Sequence, residues 1–270
     1  MAFNYYLPVT LSDGKDTQAY WSKNPSGHAL IFVHGFAGNS VATWQSFPIM
    51  LQALDECEGC DLIFYGYDSK HTRSRDSAID VRDFLQKLST NPLSVINSSL
   101  PPEDARRNAF AYSRITVVAH SLGAIVTREA LRQGYSNQAK WAPMTNLVLF
   151  APAHSGANII ELFKSSILFP CAMLVSTAQL LGWYIVLQDL EPNCRTLNDL
   201  LNMTNFAISN SNAATLVAKK VLVAGNDRVV DPALFPNDPP PRRIPGTNHQ
   251  NICKPNQVNV QPIWEVIDVI

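Results

Sequence analysis

A chain of 270 residues with 46% hydrophobic content can bury a large core, as one domain or as one domain carrying an insertion. Its formal net charge of −1, without a long run of one sign, removes the usual electrostatic argument for a nucleic-acid partner. Five scattered cysteines (Cys57, Cys60, Cys171, Cys194 and Cys253) argue against a disulfide framework, and Met1 to Pro8 lacks a basic segment followed by an apolar core, so a cytoplasmic protein is expected.

Tyr5 to Val9 and Gln18 to Trp21, separated by Ser12-Asp13-Gly14, predict an antiparallel hairpin. Ala29 to Val33 is a short apolar run that reads as a buried strand ending at His34-Gly35. Helical spacing follows over Val41 to Leu54, then a strand at Asp61 to Tyr65 and a helix around Ser77 to Leu88. The stretch from Asn91 to Asn108 is rich in Ser, Pro and Asn and reads as a surface loop. Ile115 to Val118, β-branched and uncharged, is a buried strand, and Ala124 to Gln133 the helix after it. Further strands are predicted at Leu147 to Phe150 and Val221 to Ala224, with a closing helix at Pro262 to Ile270. Alternating strands and helices imply α/β class, with a mainly parallel central sheet covered by helices on both faces.

The strand–helix junction Ala119-His120-Ser121-Leu122-Gly123 holds a serine between small residues. A serine pinned in that turn lifts its hydroxyl clear of the backbone and aims the helix N-terminus at any anion formed there. A chance serine in a turn has the same local pattern, so the rest of the chain must decide. In parallel α/β sheets chemistry gathers beyond the C-terminal ends of strands, and each polar motif here follows a strand. The glycines of His34-Gly35-Phe36-Ala37-Gly38 let the backbone curl so that the Phe36 amide, with that of Leu122, would form a two-donor oxyanion hole. Gly35 and His34 then border the substrate pocket, with His34 bracing the loop.

A serine hydroxyl needs a general base, and the base an orienting carboxylate. Asp227, set by Gly225-Asn226 at a strand end, is preferred as that carboxylate over Asp231, which precedes Pro232. His249 lies in a polar loop 22 residues further on, giving the order Ser…Asp…His. His120 adjoins the serine, but neighbours on such a turn point apart, which makes it structural. His154 follows a strand and reads as pocket wall; His28 and His71 read as surface residues. Cys57-x-x-Cys60 lacks a second pair at metal-binding spacing, so no metal site is expected.

His34 to Gly38 with Thr43-Trp44, the Ser121 pentapeptide and Ala151-Pro152-Ala153-His154-Ser155-Gly156 resemble the lipase-like serine esterases of the α/β-hydrolase superfamily. Gly225 to Val230 and Asn248 to Pro255 extend the likeness, which covers roughly residues 28–160 and 218–260. The resemblance implies ester hydrolysis through an acyl-enzyme, with Ser121, Asp227 and His249 as the triad and no cofactor. Ala119 departs from the first glycine of the usual elbow, and Ala151 stands where Thr often precedes Pro-His; both bear on pocket shape.

From Ser165 to Gln188 no residue is charged, and the run is long enough to span a bilayer. Pro170, Ser176, Thr177, Gln179 and Gly182 interrupt it, and it lies between two strands of one sheet. It is therefore read as part of a helical cap over 158–217, inserted into a core of 1–157 and 218–270, with transient membrane-surface contact through 165–188 left open. The expected substrate is a small acyl ester or lipid. Acyl transfer or thioester cleavage by the same residues remains an alternative, as does a non-catalytic binding protein on the same fold.

Overall fold

The computed structural model describes residues 4–165, 185–211, 213–231 and 235–270. Among the described residues eight strands form one sheet: β1 (Val9–Thr10), β2 (Gln18–Tyr20), β3 (His28–Val33), β4 (Asp61–Tyr65), β5 (Arg114–His120), β6 (Thr145–Phe150), β7 (Lys220–Ala224) and β8 (Arg242–Ile244). Their order is β1-β2-β4-β3-β5-β6-β7-β8, antiparallel at the β1-β2 and β2-β4 pairings and parallel from β4 to β8. This is a mostly parallel α/β sheet, as the alternation of apolar runs and helical patterns predicts. Its central strands are buried along their whole length, which is why they read as continuous apolar runs rather than alternating ones.

The helices are α1 (Phe47–Gln52), α2 (Ser74–Thr90), α3 (Pro92–Asn97), α4 (Leu122–Ser136), α5 (Ile159–Ser165), α6 (Arg195–Ser211) and α7 (Gln261–Ile267), as far as the described residues go. α4 packs against both α2 and α6, and α1 packs against α7. Within the core Phe32 of β3 stacks on Phe64 of β4 at 4.6 Å between ring centroids and meets the edges of Trp44 and Phe47.

Three expectations need correction. The helix over Val41 to Leu54 shrinks to α1, because Asn39 Oδ1 accepts from the amides of Val41 and Ala42 and folds that stretch into turns. Asn91 to Asn108 is not all loop: Asn91 caps α3 by accepting from the Ser94 amide, and Pro92 occupies the helix start. β8 was not expected at all, since Arg242-Arg243-Ile244 is short, charged and preceded by three prolines. Those are the features of an edge strand protected against further pairing.

Most of the uncharged stretch 165–188, with Pro170, Cys171, Ser176, Thr177, Gln179 and Gly182, lies outside the described residues. Among the described residues no helix is long and apolar enough to cross a membrane. Cys57, Cys60, Cys194 and Cys253 are free thiols, and no group of three or more His, Cys, Asp or Glu is arranged to hold a metal ion among the described residues.

Candidate active site

Ser121 stands between the end of β5 and the start of α4 with φ of 54° and ψ of −118°. A non-glycine residue at positive φ costs energy and persists only where its surroundings over-determine it. Here the Ser121 amide donates to Phe150 O at 3.0 Å, continuing the β5–β6 ladder, while its carbonyl accepts from Ala124 N at 3.1 Å inside α4. The turn is as tight as the motif requires. A methyl group built on Gly123 would sit 2.4 Å from Val33 O and 2.5 Å from His34 O, and one on Gly35 would sit 2.8 Å from Ser121 Cβ. Ala119, by contrast, is accommodated: it lies fully buried within β5, in register with Val33 on one side and Leu149 on the other.

Ser121, His249 and Asp227 come together from three separate parts of the chain. His249 Nε2 lies 2.9 Å from Ser121 Oγ, and His249 Nδ1 lies 3.0 Å from Asp227 Oδ2. Asp227 reaches this position from the turn after β7, where its Oδ1 accepts from the amides of Val229 at 2.9 Å and Val230 at 3.1 Å. Burial alone would raise the carboxyl's pKa. The hydrogen bonds from His249 and from those two amides outweigh it and hold Asp227 below the usual carboxylate range. Asp231 is exposed and has no part in this line.

The loop carrying His249 is fixed by its own polar residues. Thr247 Oγ1 donates to Ile244 O at 2.6 Å, and Asn226 N donates to Thr247 O at 2.9 Å, tying the loop to the turn that holds Asp227. Asn248 and Asn251 exchange side-chain-to-backbone bonds across the turn. His120 adds a further tie, with Nε2 donating to His249 O at 2.8 Å. Burial, reinforced by the neighbouring His249 ring, pushes the His120 pKa down to about 3, so it is a neutral donor.

A small cleft of about 60 Å³ opens beside the serine, lined by Gly35, Phe36, Gly38, Thr43, Ser121, His249, Gln250 and Lys254 among others. Gly35 to Gly38 form a turn closed by Gly38 N donating to Gly35 O at 3.1 Å, with Ala37 at φ of 54°. Gly38 has no room for a side chain, since a Cβ would meet His34 Nδ1 and Thr43 Oγ1 at 2.8 Å. Leu122 is the first residue of α4, where backbone amides have no acceptor within the helix. His34 lies behind this loop rather than in the cleft. Its Nδ1 donates to Gly35 O at 2.8 Å, its carbonyl accepts from Tyr67 Oη at 2.9 Å, and its ring stacks on Tyr67 at 4.5 Å.

Like His34, two further histidines lie elsewhere than expected. His154 does not line this cleft: its Nε2 accepts from Arg128 Nε at 3.3 Å, and its ring packs on Phe235 at 4.6 Å. Arg128 is wholly buried and pairs with Asp238 at 2.5 Å, so His154 belongs to a buried charged cluster that the sequence did not announce. His28, expected at the surface, is buried in β3, where its Nε2 lies 3.0 Å from Thr116 Oγ1 of β5. His71 does lie at the surface, paired with Asp68 at 3.0 Å. Gln250 and Lys254 were not assigned roles in advance; their signal is that they follow His249 by one and five residues in the same loop.

Residues 23–155, just under half of the chain, match the family model described as "Putative serine esterase (DUF676)". Many solved structures match this fold. The chain has the α/β-hydrolase fold. It is similar to the lipase BlEst2 of Bacillus licheniformis in mature form, with a TM-score of 0.52 and 14% identity over 89% of this chain and 90% of that one. It is also similar to the phospholipase PlaB of Legionella pneumophila, with a TM-score of 0.61 and 16% identity over 88% of this chain but 58% of PlaB. The esterase Pf2001 of Pyrococcus furiosus gives a TM-score of 0.50 and 16% identity, over 98% of this chain and 87% of that one. At such identities these α/β-hydrolases share the fold of this chain. No curated protein sequence matches it significantly.

Proposed function

We propose that this α/β-hydrolase cleaves carboxylic esters through an acyl-enzyme on Ser121. The observation that carries this reading is the hydrogen-bonded line from Ser121 Oγ through His249 to Asp227, at 2.9 and 3.0 Å. In this reading His249 Nε2 takes the proton of Ser121 as Oγ attacks the acyl carbonyl. The carbonyl oxygen gains negative charge, and the amides of Phe36 and Leu122 stabilise it. The intermediate collapses, the C–O bond to the alcohol breaks, and His249 returns its proton to the leaving oxygen. Water then attacks the acyl carbon by the same route and regenerates Ser121. Asp227, held ionised by its own hydrogen bonds, keeps His249 in the tautomer with the proton on Nδ1 and offsets the charge it acquires.

The insertion 158–217 between β6 and β7 serves as a cap in this reading. Its described part carries exposed apolar side chains, Ile160 at 67% and Phe206 at 69%, which suit contact with an acyl chain or a lipid surface. The decisive experiment is Ser121→Ala assayed on a short nitrophenyl acyl ester, together with labelling of both proteins by a fluorophosphonate. Turnover and covalent label are expected in the natural protein and absent from the variant, with unchanged circular dichroism. A variant that keeps the natural rate overturns the assignment of Ser121, and a natural protein that takes no label favours a binding protein on this fold.

A further inference from the structure

Lys254 lies in the cleft wall beside Ser121, and its cationic side chain has no anion of its own. It is half-buried, follows Cys253, and is brought to the glycine-rich loop because the Cys253 thiol points at Thr43 O, 3.7 Å away. Among the described residues no carboxylate lies within ion-pairing distance of its ammonium, although every buried arginine of the molecule has such a partner. The residues outside the described set, 1–3, 166–184, 212 and 232–234, contain no Asp or Glu that could supply one. Its charge is felt at the neighbouring His120, whose protonation it disfavours.

A second cation lies close to the site. Arg228, exposed and next to Asp227, lines an adjoining hollow of about 300 Å³ with His249 and Gln250. Arg228 likewise has no ion-pair partner among the described residues; the one carboxylate in that hollow, Glu161, is itself engaged. The surface around His249 and Gln250 is thus basic on a protein whose net charge is −1. A half-buried ammonium without a counter-ion costs desolvation energy, and an anion entering the cleft recovers it.

We propose that Lys254 binds an anionic oxygen group, phosphate or carboxylate, on the substrate close to the scissile ester, so that anionic esters are the preferred substrate class. This builds on the ester-hydrolase reading and adds to it the charge of the substrate. Lys254 lines the cleft together with the glycine-rich loop and is half-buried, whereas Arg228 lines the adjoining hollow and is open to solvent. Lys254 therefore carries the larger share, and Arg228 a smaller, salt-screened one.

Two measurements test this. The first needs no turnover: binding of hexyl phosphate, hexanoate and hexanol to the intact protein is followed by NMR or calorimetry. Both anions are expected to bind more tightly than the alcohol, with the tighter one identifying the group, and Lys254→Gln is expected to weaken the anions about tenfold. The second is the ratio of kcat/KM for an acyl ester bearing a carboxylate or phosphate to that for a neutral ester of equal length. The ratio is expected to exceed one, to fall about tenfold in Lys254→Gln and further in Lys254→Glu, and to decline with ionic strength. Anions that bind no better than hexanol, or a Lys254→Gln change equal for charged and neutral esters, overturn the proposal; the latter outcome would make Lys254 an oxyanion contact. A protein that binds hexyl phosphate through Lys254 yet hydrolyses no ester would leave the anion site at Lys254 standing and defeat the hydrolase reading, and with it the substrate class.

Discussion

His120 Nε2 donates to the carbonyl of His249 at 2.8 Å, so the residue before the serine holds the backbone of the residue that faces the serine. Serine and histidine arrive from β5 and from the loop after β8, 128 residues apart in sequence. A fixed bond between their immediate surroundings keeps the Oγ–Nε2 separation at hydrogen-bonding length. On the reading proposed above, His120 is a positioning residue.

Replacing it with Phe removes the donor and leaves a buried carbonyl unsatisfied. His120→Phe is expected to lower kcat about tenfold to a hundredfold while KM changes little, because the loss is in alignment and not in substrate contact. His120→Gln keeps an N–H at similar reach and is expected to recover most of the rate. Equal rates for the natural protein and both variants would show that the tie to His249 has no part in alignment.

Asp227 and Asp231 give a second contrast. Asp227 bonds His249 and two backbone amides, whereas Asp231 is exposed. Asp227→Asn still accepts from those amides but presents an amide group to His249 Nδ1, which favours the wrong tautomer. A loss of about 10³–10⁴-fold in kcat is expected. Asp231→Asn is expected to stay within about threefold of the natural rate on the same ester. A large loss at Asp231 with little at Asp227 would reverse the choice of carboxylate.

What the sequence revealed follows from how local each signal is. The strands β3 to β7 and the helix after Ser121 are legible because full burial on both sheet faces leaves unbroken apolar runs. Ser121 and Asp227 are legible because each follows an apolar run and so falls at the same end of the sheet, and His249 because its polar loop comes after Asp227 in the order Ser…Asp…His. β8 is hidden because an edge strand is stabilised by pairing with β7 and not by its own composition. Arg128 and Asp238 are hidden for another reason. They lie 110 residues apart, and each has the composition of a surface residue until the fold buries both. His154 and His28 were misread on the same account: a histidine's burial depends on partners distant in sequence, here Arg128 and Thr116.

The elbow itself makes a stability prediction. The first small residue of the pentapeptide tolerates a methyl group and the last does not. Gly123→Ala would drive a Cβ to 2.4 Å from the Val33 carbonyl, a backbone atom that cannot rotate away. A loss of about 1–3 kcal/mol or more in urea unfolding is expected. Ala119→Gly restores the more usual residue, yet it removes a fully buried methyl group and adds backbone freedom to a central strand. It is expected to cost about 1–2 kcal/mol. A stabilised Ala119→Gly variant would mean that the elbow is strained at Ala119.

Acid should destabilise this protein well above the pH at which its carboxylates titrate. Burial, with lesser help from Arg114, lowers His28 to about 4; burial lowers His34 to about 4 against the opposing bond to Gly35 O; His120 lies at about 3. His154 is pushed down by burial and by the Arg128 guanidinium. In the unfolded chain these rings protonate near pH 6.5, while in the folded protein they stay neutral. Between those limits the unfolded state binds more protons, so stability rises with pH and falls on acidification. Each ring costs about 1.4 kcal/mol per pH unit below 6.5 until its own folded pKa is reached. At pH 5 that is about 2 kcal/mol for each ring. The lowered pKa of Asp227 acts in the same direction at still lower pH, where protonation of the unfolded carboxyl adds to the loss. Urea midpoints measured at pH 7.5 and 5.0 are expected to fall steeply, and His28→Gln, which keeps a polar group facing Thr116, should flatten the slope by about one histidine's share. A midpoint unchanged between those pH values would show that these rings carry a proton in the folded state.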